Sequence, residues 1–175
     1  MLFRSGCMAE MVVQELSRAS VRLQVASRAL PTIAAATIAD EPLPQQANTW
    51  TGADPAIWWV APDAWLLQST SQDGGELAAA TRIACTNLPC AVTDLSDALV
   101  TIALTGPDAG AVLARGCGLD LRAGAFGARA CARTRLAQLP VLIRKTGSAR
   151  YELVVDSAAA RYLLDWLADA AAGIE

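Results

Sequence analysis

Asp94, Ser96 and Asp97 form the tightest grouping of side chains able to move a proton. Two carboxyls so close could divide acid and base roles between them. Between two strands, the same residues also supply the side-chain-to-backbone bonds of a turn. Asp120, which follows Gly116-Cys117-Gly118-Leu119, either ends or anchors a loop. Arg133 and Arg135 share a strand face, and Arg129 joins them if the strand begins that early. An anionic ligand or an acidic partner could dock there; a solvated strand face is the plainer alternative. Trp50, Trp58, Trp59 and Trp65 crowd into sixteen residues, with a single tryptophan elsewhere. Such a cluster suits a ligand platform or a protein interface, or else core packing. Trp58 and Trp59 are neighbours on one strand and point opposite ways, so at least one is expected at a surface or under a partner.

The absences are equally informative. The chain has no histidine, which excludes Ser-His-Asp and Cys-His catalysis and any His-ligated metal. Lys145 stands alone against 13 arginines, so a Schiff-base lysine has one candidate. The five cysteines, Cys7, Cys85, Cys90, Cys117 and Cys131, contain no C-x-x-C pair. They read as buried small hydrophobes in a reduced compartment, hence cytoplasmic. Gly74-Gly75 and Gly116-Cys117-Gly118 match neither a dinucleotide fingerprint nor a phosphate loop, and suit turns and helix caps. From the residues alone, no catalytic, cofactor-binding or metal-ligating side chain is expected in this chain.

These groups must be carried by a chain of 175 residues, 54% apolar and 18% charged, with net charge -3. That length is one ordinary domain. No apolar run is long enough to span a bilayer, no basic face suits nucleic acid, and the start, broken by Glu10 and Glu15, is not a signal peptide. Residues 8–18 suggest a short helix, and 21–25 alternate as a strand with one wet face. Two prolines in 40–46 mark an exposed loop, the best candidate for a flexible joint. Residues 57–60 and 64–68 read as strands about a Pro-Asp turn. Asp73-Gly74-Gly75 ends the second of them, and 76–85 is helical in composition.

Strands follow at 90–93 and 98–104, joined by a turn, then a helix from Thr105-Gly106-Pro107-Asp108 to about Arg115 with Gly116 after it. Strands at 129–136, 140–145 and 151–155 lead to a closing helix, 158–171, capped by Asp156 or Ser157. On that helix Tyr162, Leu163, Trp166, Leu167 and Ala170 share the apolar face, and Arg161, Asp165 and Asp169 the other. The order predicts an α+β fold with a mostly antiparallel sheet, helices on one face and a ferredoxin-like repetition of strand, polar turn and helix. Residues 1–50 read as an N-terminal arm with one strand and a Pro-containing loop, part of the same domain as the α+β region 51–175.

Several runs together resemble one family. They are Ala61-Pro62-Asp63-Ala64-Trp65-Leu66-Leu67, Val92 to Ala98, Leu104-Thr105-Gly106-Pro107-Asp108-Ala109, Leu113 to Leu121, Phe126, Cys131-Ala132-Arg133-Thr134, Ser157 and Tyr162 to Leu167. In order and spacing they resemble the gamma subunit of heterotetrameric sarcosine oxidase, over about residues 57–171. The resemblance implies a fold similar to the folate-binding domain of the glycine-cleavage aminomethyltransferases. It also implies an accessory, non-catalytic role beside alpha, beta and delta subunits. FAD, FMN, NAD and tetrahydrofolate would sit on those other chains, where sarcosine or a related N-methyl amino acid is oxidised. The alternative is a stand-alone folate-binding or one-carbon transfer protein, in which Asp94, Asp97 or Asp120 would meet a pterin. Arg115-Gly116-Cys117-Gly118-Leu119 departs from the Lys-Gly-Cys-Tyr-x-Gly-Gln stretch of the folate-binding repair proteins, which counts against that alternative.

Overall fold

Period-two alternation of β-branched and aliphatic residues builds most of this chain into strands, and a few Ala- and Leu-rich runs supply its helices. The computed structural model describes residues 11–33 and 36–173. In chain order the elements are β1 (Val12–Leu16), β2 (Ala19–Val25), a short α1 (Leu30–Ile33), β3 (Thr37–Ile38), β4 (Glu41–Pro42) and β5 (Trp50–Thr51). Then come β6 (Ala56–Ala61), β7 (Ala64–Ser69), α2 (Gly74–Ala84), β8 (Cys90–Asp94), β9 (Leu99–Thr105) and α3 (Ala109–Ala114). β10 (Cys131–Leu136), β11 (Leu139–Gly147), β12 (Arg150–Asp156) and α4 (Ala160–Ala172) complete the chain. The fold is α+β, and every strand pairing among the described residues is antiparallel.

The chain divides into two units, Met1–Leu16 with Ala98–Glu175, and Ser17–Asp97. The division expected at residue 50 therefore falls inside the second unit. Each unit has its own five-stranded sheet, ordered β1-β9-β12-β11-β10 in the first and β5-β6-β7-β2-β8 in the second. Written from β2 and from β9, each next to one edge of its sheet, the two follow one plan. β2, α1, β5, β6, β7, α2 and β8 in one correspond to β9, α3, β10, β11, β12, α4 and β1 in the other. The repetition is thus real, but the strand that closes the first unit is supplied from the N-terminal side of the chain.

That exchange explains two departures from expectation. The described part of residues 8–18 holds a strand, not a helix, because Val13 lies opposite Leu104 and contributes to the core of the first unit. Tertiary pairing overrides a weak local preference here. Likewise 90–93 and 98–104 are strands, but Leu95-Ser96-Asp97 does not fold them into a hairpin: β8 pairs with β2, and β9 with β12 and β1.

The first core packs Ile102, Leu104, Val141, Ile143 and Leu153 of the sheet beneath Val112 and Leu113 of α3 and Leu163 and Leu167 of α4. The second packs Val21, Leu23, Ile57, Trp65 and Leu67 with Leu77 of α2 and with Ile33, Ile38 and Leu43. The Pro-containing 40–46 stretch is no free joint. Leu43 and Pro44 are buried, the Trp65 indole donates to the Pro44 carbonyl (2.9 Å), and the Thr51 hydroxyl donates to that of Pro42 (2.7 Å). On α4, Tyr162 turns outward, at 52% exposure, away from the face it was expected to share. On the polar side Arg161 donates to Asp165 one turn on (2.9 Å), as its spacing foretold.

Candidate functional site

The structure disperses the sequence's candidates rather than gathering them into one catalytic pocket. Asp94 and Ser96 do meet, but as a turn. The Asp94 carboxylate accepts from the Ser96 amide (3.0 Å) and hydroxyl (2.6 Å), and the Ser96 hydroxyl accepts from the Ser20 amide (3.0 Å). Those bonds hold the Asp94 carboxyl below its ordinary range, the opposite of a poised acid.

Their location also explains Gly74. That glycine is the first residue of α2, N-capped by Asp73 in a reciprocal capping box with Glu76, so Gly74-Gly75 opens a helix rather than ending a strand. A Cβ on Gly74 would lie 2.3 Å from an Asp94 carboxylate oxygen and 2.5 Å from the Ser96 hydroxyl. The helix start and the 94–96 turn are fitted to each other. Gly116 is small for a similar reason: a Cβ there would lie 2.5 Å from the Trp166 ring. It follows the α3 cap residue Arg115, as expected.

The tryptophans are mainly core. Trp65 and Trp58 are buried at 2% and 0% exposure, and Trp59 is half-buried against the second core. Trp59 and Trp65 lie directly opposite across β6 and β7, while Trp58 faces the other side of the sheet opposite Leu66. Neither member of the adjacent pair is the exposed anchor that alternation suggested. The described cysteines form no disulfide, with Cys85, Cys117 and Cys131 buried; Cys7 lies outside the described residues. Burial, and then the neighbouring Cys90 thiol, pushes Cys85 up to about 11, where it is an inert thiol. Lys145 is buried, with its ammonium 5.5 Å from the Tyr151 ring centre.

Asp120 lies in the loop after α3. Arg122 donates to it through its backbone amide (3.1 Å) and its guanidinium (2.6 Å at the shortest contact). The pair edges a cleft of about 440 Å3, walled by Gly110, Ala111 and Ala114 of α3 and by Leu119 and Leu121. Arg122 draws the Asp120 carboxyl down to about 2. Because the folded value is depressed, the pair is whole above pH about 4, the ordinary aspartate value, and is lost as pH falls through about 2. A carbon-detected carboxyl titration is expected to find the Asp120 midpoint near 2, rising toward the ordinary value in Arg122→Ala without reaching it, because the backbone amide at 122 still donates. A wild-type midpoint at the ordinary value would show that the pair does not form in solution.

Further charged residues lie on the face of the first sheet opposite α3 and α4. β10 begins at Cys131, so Arg129 lies outside it; Arg133 and Arg135 are exposed opposite Leu142 and Pro140 of β11. Two residues along β11 from Leu142, Arg144 lies opposite Glu152 of β12. Its Nε donates to Glu152 at 2.9 Å and a terminal nitrogen at 2.5 Å, with both side chains at most 4% exposed. The half-exposed Arg150 is 3.7 Å from the other carboxylate oxygen. Sequence reading missed this pair. Arg144 and Glu152 sit inside apolar strand runs, but only the β11–β12 register makes them neighbours. Among the described residues no three potential metal ligands cluster.

A family model described as the sarcosine oxidase, gamma subunit family matches residues 25–173. The chain belongs to that family. The match begins well upstream of the motifs from which the resemblance was read. The chain is similar to sarcosine oxidase subunit gamma of Corynebacterium sp. (strain P-1), with 33% identity over 162 residues, 89% of this chain and 79% of the relative. It is 34% identical to sarcosine oxidase subunit gamma of Arthrobacter sp. over 167 residues, 91% of this chain and 79% of that one. Among solved structures it superposes on a chain of the heterotetrameric sarcosine oxidase from Corynebacterium sp. U-96, in complex with pyrrole 2-carboxylate. The TM-score is 0.80 and the identity 25%, covering 94% of this chain and 85% of that chain. Glycine cleavage system aminomethyltransferase T from Bartonella henselae shares the fold, with TM-score 0.63 at 18% identity, over 89% of this chain and 44% of that chain. The gamma-subunit fold of this chain is therefore aminomethyltransferase-like, as the resemblance implied.

Proposed function

We propose that this chain is the accessory gamma subunit of a heterotetrameric sarcosine-oxidase-type flavoenzyme in the cytoplasm. Alpha-, beta- and delta-type subunits are its partners. They carry the FAD, FMN, NAD and tetrahydrofolate sites and oxidise sarcosine or a related N-methyl amino acid; this chain contributes no catalytic residue. The observation that carries the reading is the family match across residues 25–173, together with curated gamma subunits of which the chain spans 79%. The chemistry of the chain supports it. There is no histidine, the Asp94–Ser96 grouping is spent on a turn, and Asp120 is spent on Arg122.

The test is to purify the tagged chain from its own host and to record the masses and absorbance of what accompanies it. The expected result is a yellow assembly with larger subunits that oxidises an N-methyl amino acid. A colourless lone chain overturns the reading and gives first place to titration with tetrahydrofolate.

A further inference from the structure

Cys85 and Cys90 stand at the two ends of the connection from α2 to β8. Cys85 is the residue that caps the end of α2, and Cys90 is the first residue of β8. Between them the chain reverses in a tight turn. The Thr86 amide donates to the Ile83 carbonyl (3.1 Å) and the Leu88 amide to that of Cys85 (3.0 Å). The Pro89 carbonyl then accepts from the Ala26 amide (2.8 Å), which sets Cys90 opposite Val25 of β2. Strand alternation turns Cys90 and Val92 to one face. Both pack on the second core, to which Cys85 belongs. The two thiols thus face one core across one turn, and they share a hydrogen bond. Cys85 keeps its proton, so in that bond it donates and the Cys90 sulfur accepts. Cys85 is 2% exposed, whereas Cys90 is half-buried, so only the outer sulfur can meet a small solute.

We propose that Cys85 and Cys90 are a peroxide-responsive dithiol, oxidised reversibly to a disulfide that joins the end of α2 to the edge strand β8. The inference is independent of the gamma-subunit reading. The Cys90 thiolate attacks one oxygen of hydrogen peroxide and the O–O bond breaks. Cys90 becomes a sulfenic acid, and the departing hydroxide takes back the proton that Cys90 had released, giving water. The Cys85 sulfur then attacks the sulfenic sulfur. An S–S bond forms as the S–O bond breaks, and the Cys85 proton leaves with the hydroxide as a second water. Two thiols lose two electrons, and one peroxide is reduced to two waters. Burial keeps Cys85 inert toward solutes, and this step asks it to react only with the sulfur it already touches. A half-exposed thiol beside a resolving one is the usual form of a redox-sensing site. A purely structural bridge is the weaker reading, because so short a loop restrains the unfolded chain little.

The test exposes the full chain, with any subunits that accompany it, to hydrogen peroxide in its native state. The protein is then quenched in acid, denatured, alkylated and cut after lysine and arginine. No such residue lies between Arg82 and Arg115, so both cysteines fall in one fragment, 83–115. The expected result is a fragment without alkyl groups and two hydrogens lighter, roughly 10-fold or more abundant than in untreated protein. A dithiol reductant returns it to the doubly alkylated form. In Cys85→Ser, Cys90 is expected to be trapped by dimedone as a sulfenic acid, and otherwise to pass to a sulfinic acid that the reductant does not reverse. In Cys90→Ser, Cys85 stays open to alkylation. Wild-type protein whose two cysteines both remain alkylated after peroxide overturns the proposal. So does Cys90 passing to sulfinic acid as fast in wild type as in Cys85→Ser, or a bridge to Cys7 as the main product. The wild-type fragment decides the matter by itself if either variant fails to fold.

Discussion

Glu152→Ala is expected to lower the stability of the protein by about 3–5 kcal/mol. The reason is asymmetric. Glu152 and Arg144 are both almost wholly withdrawn from water, at 3% and 4% side-chain exposure, and hold each other by two hydrogen bonds on one carboxylate oxygen. A guanidinium does not shed its proton in a protein. Removing the carboxylate therefore leaves a buried cation, with Arg150 of the neighbouring strand to repel it. Against a typical total stability of roughly 5–15 kcal/mol, that is a large share. Removing both charges is a different experiment. Arg144→Met/Glu152→Leu abolishes the attraction and both desolvation costs, so it is expected to regain most of the loss, to within about 1–2 kcal/mol of wild type. Urea unfolding of the three proteins decides the matter. A Glu152→Ala midpoint indistinguishable from wild type would mean that the pair is hydrated in solution.

Elements were legible in this sequence where a local period sufficed. Ile57 to Val60, Ala64 to Gln68 and Leu99 to Leu104 became strands because apolar and β-branched side chains there can be placed on a pleated surface from their order alone. The 76–85 helix was legible for the same reason, and its start at Asp73 was masked only because Gly74-Gly75 resembles a strand end. What periodicity cannot supply is partnership. Nothing around Ser96 distinguishes a hairpin turn from a link between two sheets, and nothing in Val12-Val13 names Thr105 and Leu104 of β9 as their partners rather than the nearby β2. Arg144 and Glu152 are eight apart in the chain and become a pair only in register. Tyr162 shows the converse limit: helical spacing put it on the apolar stripe, but that stripe is narrower than the spacing allows, with Leu163 and Leu167 at its centre. The family itself was legible from short motifs because it needs only their order and spacing.

Trp65→Ala is expected to cost about 3–5 kcal/mol, the usual range for removing a large aromatic side chain from a core. Trp65 is 2% exposed and lies opposite Leu23 on one neighbouring strand and Trp59 on the other. Its indole N–H also holds the Pro44 carbonyl, fastening the buried Leu43-Pro44 segment over the second core. Truncation thus leaves both a cavity and a carbonyl that has lost its donor, and the latter adds roughly 1–3 kcal/mol where water cannot replace it. Trp65→Phe separates these contributions: it keeps most of the apolar contact but not the donor, and a loss of about 1–3 kcal/mol is expected. Unfolding midpoints give the totals, and hydrogen exchange at Leu43 and Gln45 reports whether the segment has lifted. The comparison also decides what the tryptophan cluster is for. A core role requires Trp65→Phe to lower stability while partner association, measured below its unfolding midpoint, stays at the wild-type level. A variant of unchanged stability that loses its partners would instead return this cluster to the interface.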